Sequence, residues 1–369
     1  MTQPTDLLPV GLEDKLPQSA ARITAAMRAC LDVLGAHGYD RVRPPLLEFE
    51  SSLASRMQGV ATQRTFRMTD PTSLRTLALR SDITPQIGRI AATSMKDAPR
   101  PLRLAYCGDT ALIQASQLDP ARERIQLGAE LIGADTVAAA GEIVVLAVEA
   151  LREAGLTGIS VDFTMPDLVD TLAAKDKALD AATVEAIRGE LDTKDAGGLK
   201  AAGGAAYLPL LYAAGPIADA LPKLREFDTD GVLASRLDGL EAIAARVGDA
   251  ARITLDPTER HGFEYQSWFG FTIYADGVRG AAGRGGTYRI CGSEEPASGF
   301  TLYVDRLSEA APMPRFKRWT IYLALDADPA TVKVARDQGH RFIGQLTDDE
   351  DPKALGCTHR MDGAELTAL

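Results

Sequence analysis

The chain has 369 residues, of which 46% are hydrophobic and 25% charged, values typical of a globular protein with about two or three domains. No stretch reaches the ~20 uncharged apolar residues that cross a bilayer, and Met1 to Gly11 lacks the layout of a signal peptide, so we expect a cytoplasmic protein without a membrane partner. The formal net charge of −11 argues against nucleic acid as a partner.

The cysteines and histidines are few and scattered. The four cysteines stand alone in the sequence, which excludes a C-x-x-C metal knuckle and a dense disulfide framework. Cys357 and His359 form the one close pair, and the sequence around them offers no further ligands. We therefore expect reduced thiols, no metal site and no cofactor.

The first half of the chain predicts helices together with an antiparallel sheet. Apolar spacing predicts a helix from Pro17 to His37, followed by an extended segment over residues 40–48 whose two prolines suit a sheet edge. Alternating residues predict a hairpin across the turn at residues 70–73. A second hairpin should pair Leu102–Tyr106 with Arg124–Ile132. Hairpin connections favour an antiparallel sheet, so the fold class is predicted to be α+β.

A long helix and a helical insertion are predicted next. Asp135 is expected to cap a helix that extends to Arg152, and a strand should follow at Ile159–Phe163. Residues 165–248 have helical periodicity and almost no strand pattern, interrupted by the glycine-rich segment Gly197–Gly204. This stretch is therefore predicted to be a helical insertion.

Strand patterns then return, before a change of style near Pro312. Strands are predicted at Arg252–Leu255 and Phe263–Tyr274, a turn at Gly280–Gly286, and a helix opened by Gly299. The tail predicts a small β-α-β module from Trp319–Leu325, Pro329–Asp337 and Phe342–Leu346. The predicted domains are residues 1–310, which contain the insertion, and residues 315–369.

Five segments, in this order, resemble the catalytic domain of class II aminoacyl-tRNA synthetases, specifically the histidyl branch, over about residues 8 to 310. The resemblance implies an antiparallel sheet flanked by helices. Each match alone is weak, and the common order and spacing carry the comparison. The segments resemble motif 1 (residues 38–48), the L-R-P-E-G-T segment (77–85), the end of motif 2 (126–133), the R-G-L-D-Y-Y-T segment (262–267) and motif 3 (299–307).

The same resemblance implies a histidine pocket. Its polar side chains can hold an α-ammonium and an imidazole through neutral and charge-assisted hydrogen bonds. The alternative is that they satisfy one another in an unoccupied cleft. Trp268 stands where the histidyl pattern has a small residue, and its ring could block the pocket. The implied pocket residues are Asp82, Thr84, Gln126, Glu130, Tyr265 and Gln266.

The ATP-binding residues of the synthetase family are poorly matched. Counting back without gaps from Gln126, the motif 2 arginine falls on Leu112 and its acidic neighbour on Gln114. Leucine cannot donate a hydrogen bond, and loss of one such donor typically costs ~10²–10³ in rate. The second catalytic arginine falls on His261 in the same gapless count, and a one-residue shift of register would place it on Arg260 instead. The motif 3 arginine is kept as Arg306. No catalytic residue is therefore predicted.

The tail resembles the regulatory subunits of ATP phosphoribosyltransferase. The matching segments of the tail are Ile321–Leu325 and Leu355–Arg360, and the N-terminal segment Leu7–Gly11 also matches. The tail after Arg306 is shorter than the ~100–150 residues of a typical domain. This resemblance implies a non-catalytic subunit that a short-form catalytic partner needs for activity. It also implies histidine feedback on the first step of histidine biosynthesis, and self-association as a dimer.

Two other functions remain open from the sequence. A histidyl-tRNA synthetase-like ligase would activate an amino acid with ATP, and histidine-dependent pyrophosphate exchange would reveal it. A scaffold would bind the same partner without responding to histidine.

Overall fold

The computed structural model describes residues 7–55, 65–113, 120–174, 179–260, 266–313 and 318–369, with only the backbone of Gln266. The chain forms two compact units, Met1–Met313 and Pro314–Leu369. Within these described ranges, no helix is long and apolar enough to span a membrane.

The first unit consists of helices around one large sheet. Its helices are α1 (Pro17–Ala36), α2 (Glu50–Ala54), α3 (Thr84–Ala92), α4 (Val137–Glu153), α5 (Leu168–Ala173), α6 (Ala181–Asp192), α7 (Ala196–Ala201), α8 (Leu208–Leu211), α9 (Ile217–Phe227), α10 (Ala234–Val247) and α11 (Val304–Ala310). Its strands are β1 (Asp40–Arg41), β2 (Leu47–Phe49), β3 (Arg67–Thr69), β4 (Thr76–Leu79), β5 (Leu102–Ala111), β6 (Glu123–Ile132), β7 (Ser160–Thr164), β8 (Gly215–Pro216), β9 (Arg252–Leu255), β10 (Gln266–Tyr274), β11 (Gly283–Arg289) and β12 (Pro296–Tyr303).

The main sheet has the strand order β1-β5-β6-β12-β11-β10-β7-β9-β8. Its centre is antiparallel, while β1 pairs with β5, and β7 with β9, in parallel. Both predicted hairpins form, since β3 pairs with β4 and β5 with β6 in antiparallel register. These pairings confirm the predicted α+β class with its antiparallel sheet.

The two faces of β6 differ in chemistry. Leu127, Ala129 and Leu131 are buried in the main hydrophobic core, which includes α1 and α4. Residues alternate along a strand, so Gln126 and Glu130 point to the opposite face. This second face of the sheet, which we call the polar face, carries the candidate site.

Helix α4 begins one residue later than predicted. Thr136, not Asp135, is its N-cap, and the Thr136 hydroxyl accepts a hydrogen bond from Ala139 N at 3.2 Å. Either side chain suits this position, and only the backbone conformation decides between them. The Asp135 carbonyl instead accepts a hydrogen bond from the Trp268 ring.

The predictions for the glycine-rich segments were wrong. The expected turn at Gly280–Gly286 contains the start of β11, and the expected helix at Gly299 is strand β12 up to Tyr303. The segment Gly197–Gly204 was expected to break the helical insertion. Its first part instead belongs to helix α7, which ends at Ala201 and has Asp195 as its N-cap. In β11 and β12 the glycines leave room for side chains from neighbouring strands.

Residues 165–248 form the helices α5 to α10, together with β8, which pairs with β9 at the edge of the main sheet. The second unit contains β13 (Thr320–Leu323), α12 (Pro329–Asp337), β14 (Arg341–Gly344), β15 (His359–Asp362) and β16 (Glu365–Ala368). Its β13, α12 and β14 form the expected β-α-β element with parallel strands. The sequence pattern did not predict β15 and β16.

Candidate functional site

A buried carboxyl group lies at the centre of the polar face. Glu130 of β6 is 1% exposed. Its Oε1 accepts hydrogen bonds from the Thr84 hydroxyl at 3.0 Å and the Tyr106 hydroxyl at 3.3 Å. Its Oε2 accepts one from the Tyr288 hydroxyl at 2.8 Å. Three different elements therefore hold this one carboxyl group in place.

The turn between β4 and α3 brings further polar groups to the same place. Ile83 N donates to Gln126 Oε1 at 3.0 Å, which fixes the turn to β6. Thr84 N donates to Asp82 Oδ1 at 3.2 Å, and Thr84 begins α3. Asp82, Thr84 and Gln126 are all at least nine-tenths buried. The L-R-P-E-G-T-like segment therefore lies directly against the carboxyl group, which Thr84 contacts.

Two glycines permit the close approach of these side chains. A Cβ atom at Gly299, directly opposite Glu130 in the register, would overlap Glu130 Oε2. A Cβ atom at Gly128 would overlap the Tyr106 hydroxyl and Phe300 O. The Glu130 carboxyl therefore leans across β12, which requires glycine at position 299.

Burial sets the protonation of this cluster. Desolvation raises the pKa of Glu130 to about 8, although the hydroxyls of Tyr288 and Thr84 oppose the rise. Burial also raises the pKa values of Tyr106 and Tyr288 well above the ordinary tyrosine value, so both hydroxyls keep their protons. Near neutral pH the site thus holds a carboxyl group poised to exchange a proton with a ligand.

The structure brings together the four predicted pocket residues whose side chains it describes, namely Asp82, Thr84, Gln126 and Glu130. Tyr265 and the side chain of Gln266 lie outside the described residues.

Sequence reasoning missed three members of the cluster: Tyr106, Tyr288 and Thr301. The Tyr106 and Thr301 hydroxyls lie 2.6 Å apart, and both tyrosines bond Glu130. Tyr106 was already within a predicted strand, and its position opposite Gly128 in the hairpin could have revealed it. Tyr288 and Thr301 were hidden because β11 and β12 were not recognised as neighbouring strands.

Trp268 does not lie in the site. Its indole Nε1 donates to Asp135 O at 3.0 Å, and its ring lies near Gly239 of α10. It packs against the main hydrophobic core on the helical side of the sheet. The Trp268 ring therefore does not block the neighbourhood of Glu130.

The residues at the positions expected to bind nucleotide make contacts within the protein. Leu112 lies just beyond β5, where its backbone N–H donates to Arg122 O and its carbonyl oxygen accepts from Arg122 Nε. Arg306 Nη1 donates to Ala281 O at 3.0 Å. Arg260 is exposed, and its guanidinium lies 3.4 Å from Glu185 of the insertion. Gln114 and His261 lie outside the described residues.

Arg124 and Asp305 form a buried ion pair at the end of the polar face. Arg124 Nη1 lies 3.0 Å from Asp305 Oδ2, and Ile125 N donates to Asp305 Oδ1 at 3.1 Å. The pair joins β6 to α11, so this guanidinium is already neutralised.

Across the described part of the chain, no group of three or more His, Cys, Asp or Glu residues could hold a metal ion.

Comparison with known proteins identifies the family. Residues 11–307 match the family described as histidyl-tRNA synthetase. An ATP phosphoribosyltransferase regulatory subunit from Paramagnetospirillum magneticum is 38% identical, with 96% of each chain covered. Another, from Rhodospirillum centenum, is 38% identical over 98% of this chain and 96% of its own. The chain belongs to the ATP phosphoribosyltransferase regulatory subunit family.

Members of this family are named as regulatory subunits, which confirms the prediction of a regulatory subunit that is not an enzyme on its own. A solved structure from Bacillus halodurans, described as an ATP phosphoribosyltransferase regulatory subunit/histidyl-tRNA synthetase, has a TM-score of 0.80 at 24% identity. It covers 96% of this chain and 97% of its own. The regulatory subunit thus has the histidyl-tRNA synthetase fold, as the motif order predicted.

Proposed function

We propose that this chain binds histidine on the polar face of its sheet and transmits that binding to a short-form ATP phosphoribosyltransferase catalytic subunit. The chain supplies no catalytic group. The catalytic partner gains activity by assembling with it, and bound histidine favours the less active arrangement. By reciprocity, the active arrangement weakens histidine binding by the same coupling free energy, typically ~1–3 kcal/mol.

The observation that carries the proposal is the buried carboxyl group of Glu130, which faces Asp82 and Gln126 in one polar cluster. An imidazole N–H donating to Glu130 would stabilise its ionised form. Asp82 suits an α-ammonium group, because a charge-assisted hydrogen bond is stronger than a neutral one. Gln126 has its amide oxygen occupied by Ile83 N, which leaves its amide N–H groups as donors.

The groups around the expected nucleotide position support a binding role without adenylation. Leu112 provides no charge, the neighbouring Arg122 guanidinium donates to the carbonyl oxygens of Leu112 and Val10, and Arg124 is neutralised by Asp305. Adenylation takes place at the α-phosphate of ATP and requires prepositioned cations, because negative charge builds there in the transition state.

Self-association as a dimer through residues 38–48, the segment that resembles motif 1, completes the proposed assembly.

Co-purification with a short-form catalytic subunit, followed by an activity assay with and without histidine, tests this function. We expect a stable complex, higher activity than the catalytic subunit has alone, and inhibition by histidine. Activity that does not respond to histidine would contradict the proposal and identify a scaffold. Histidine-dependent pyrophosphate exchange by the purified chain would contradict it in favour of a ligase.

A further inference from the structure

Arg284 of β11 is a half-buried guanidinium on the same side of the sheet as Glu130. Its Nε is buried and, among the described residues, has no hydrogen-bond partner. A buried donor that loses water without gaining an acceptor is costly, and a bound ligand that supplies the acceptor would remove this cost. Because the guanidinium carries a fixed positive charge, that ligand should be an anion.

The sheet register places Arg284 on the polar face. Glu130 lies opposite Gly299, and Gly299 lies opposite Gly286. Gly286 is two residues from Arg284 on one side and two from Tyr288 on the other, so all three share a face. The hydrogen bond from Tyr288 to Glu130 agrees with this assignment.

A row of glycines crosses the polar face next to Arg284. Starting from Glu130, the register continues through Gly299, Gly286 and Gly270, none of which has a side chain, while Thr301 lies opposite Arg284 in the neighbouring row. Burial raises the pKa values of Tyr303 and Tyr274, and the charge of Arg284 opposes both rises, so the guanidinium acts on strands to either side of β11. The described part of the polar face therefore offers an acid at one end of a glycine row and a cation beside that row.

The spacing suits a small zwitterion. Strands lie about 4.8 Å apart and residues about 3.4 Å apart along a strand, which puts the Cα atoms of Glu130 and Arg284 roughly 12 Å from each other. The Glu130 carboxyl leans over Gly299 toward β11. A Cα separation of this size leaves room for an amino acid with a ring side chain between the two residues.

We propose that Arg284 binds the α-carboxylate of the amino-acid effector while Glu130 binds its side chain, an inference that rests on the proposed function. A guanidinium binds a carboxylate through two parallel hydrogen bonds. A polyphosphate fits less well, because the nearby Arg124 is paired with Asp305 and Arg306 donates to the protein backbone. Arg284 thus selects for a free carboxylate.

Calorimetric titration of the full chain with L-histidine and L-histidinol tests this role, because histidinol has an uncharged hydroxymethyl group in place of the carboxylate. Wild type should bind histidine about 10- to 100-fold more tightly than histidinol, the usual range for a charge-assisted contact. Arg284→Met should lose that preference by weakening histidine binding alone. Arg284→Lys should restore part of it, which separates charge from a folding defect.

Arg279→Met, at an exposed arginine in the preceding turn, is the matched control and should behave as wild type. Equal binding of the two ligands by wild type, or equal weakening of both by Arg284→Met, would overturn the assignment. Competition by ATP that disappears in Arg284→Met would also overturn it, since a phosphate would then be the ligand. If Glu130→Gln loses histidine binding while Arg284→Met keeps it, only this inference fails. If wild type binds no histidine, the proposed function fails as well.

Discussion

Burial of the Glu130 carboxyl has a structural cost, and the binding role that we propose for this residue depends on the same burial. A carboxyl group this deeply buried would be expensive to ionise without partners, and three hydroxyl donors reduce that expense. The cluster leaves Glu130 near the balance between its neutral and charged forms. A cationic or N–H-bearing ligand can therefore shift that balance on binding.

Replacing Glu130 with glutamine should change how stability depends on pH. Burial raises the pKa of Glu130 from 4.5 to about 8, so its favourable contribution is full below about 4.5 and is lost as pH rises through about 8. The melting temperature of Glu130→Gln, relative to wild type, should therefore rise by a few degrees between pH 5 and pH 9. Differential scanning calorimetry across this range measures the difference.

Glu123→Gln is the control for this experiment, because Glu123 is an exposed residue of the same strand. A difference between Glu130→Gln and wild type that stays constant from pH 5 to pH 9 would show that Glu130 does not titrate as described.

The sequence predicted four of the site's buried polar residues but gave no account of how they interact. Asp82, Thr84, Gln126 and Glu130 were found through a resemblance between short segments. Their contacts with Tyr106 and Tyr288 depend on which strands are neighbours, and residues 106 and 288 are far apart in the chain. Local pattern carries no information on such long-range pairing.

At the scale of strands, the glycines are the least predictable feature and the most important for the site. Glycine is common in turns, which favoured a turn at residues 280–286 and a helix start at Gly299. In the folded sheet, Gly299 and Gly128 accept the Glu130 and Tyr106 side chains from adjacent strands. That use of glycine follows from cross-strand packing, which the sequence alone does not specify.

Gly299→Ala should disturb the site without altering any polar group. Its Cβ atom would overlap Glu130 Oε2 and lie 2.9 Å from Ala129 O, so the carboxyl must move. Such overpacking typically costs about 1–3 kcal/mol. Urea unfolding should show this loss, and the displaced carboxyl should also weaken histidine binding in calorimetric titration.

Gly35→Ala is the matched control, because the added Cβ atom in α1 has no neighbour within 4 Å. It should keep or slightly increase stability, since alanine is the better helix former by up to about 1 kcal/mol. Wild-type stability in Gly299→Ala would mean that Glu130 does not lean across β12.

At the scale of the whole molecule, the order of weak motifs predicted more than any single motif. It gave the fold class and the antiparallel sheet, and family membership agrees with both. The helical nature of residues 165–248 followed from periodicity, because amphipathic helices show their pattern locally. The last two strands of the second unit were missed, because their short segments have little alternation to read.

At the scale of the whole molecule, a synthetase fold is also suitable for a regulatory subunit. A pocket that no longer needs to hold ATP can still report amino-acid concentration, provided that a partner distinguishes the occupied from the empty state. Arg124 and Asp305 now form an ion pair that joins β6 to α11. This guanidinium therefore makes an internal contact, while Glu130 lies in a cluster of hydroxyl donors.

The dose response of the assembled ATP phosphoribosyltransferase to histidine tests the central claim most directly. The assay compares wild type with Glu130→Ala and with the exposed control Glu123→Ala, each in complex with the catalytic subunit. All three complexes should assemble and be active, and Glu130→Ala alone should raise the half-inhibitory histidine concentration by about tenfold or more. A Glu130→Ala complex inhibited at the wild-type concentration would contradict the account, because histidine would then act elsewhere.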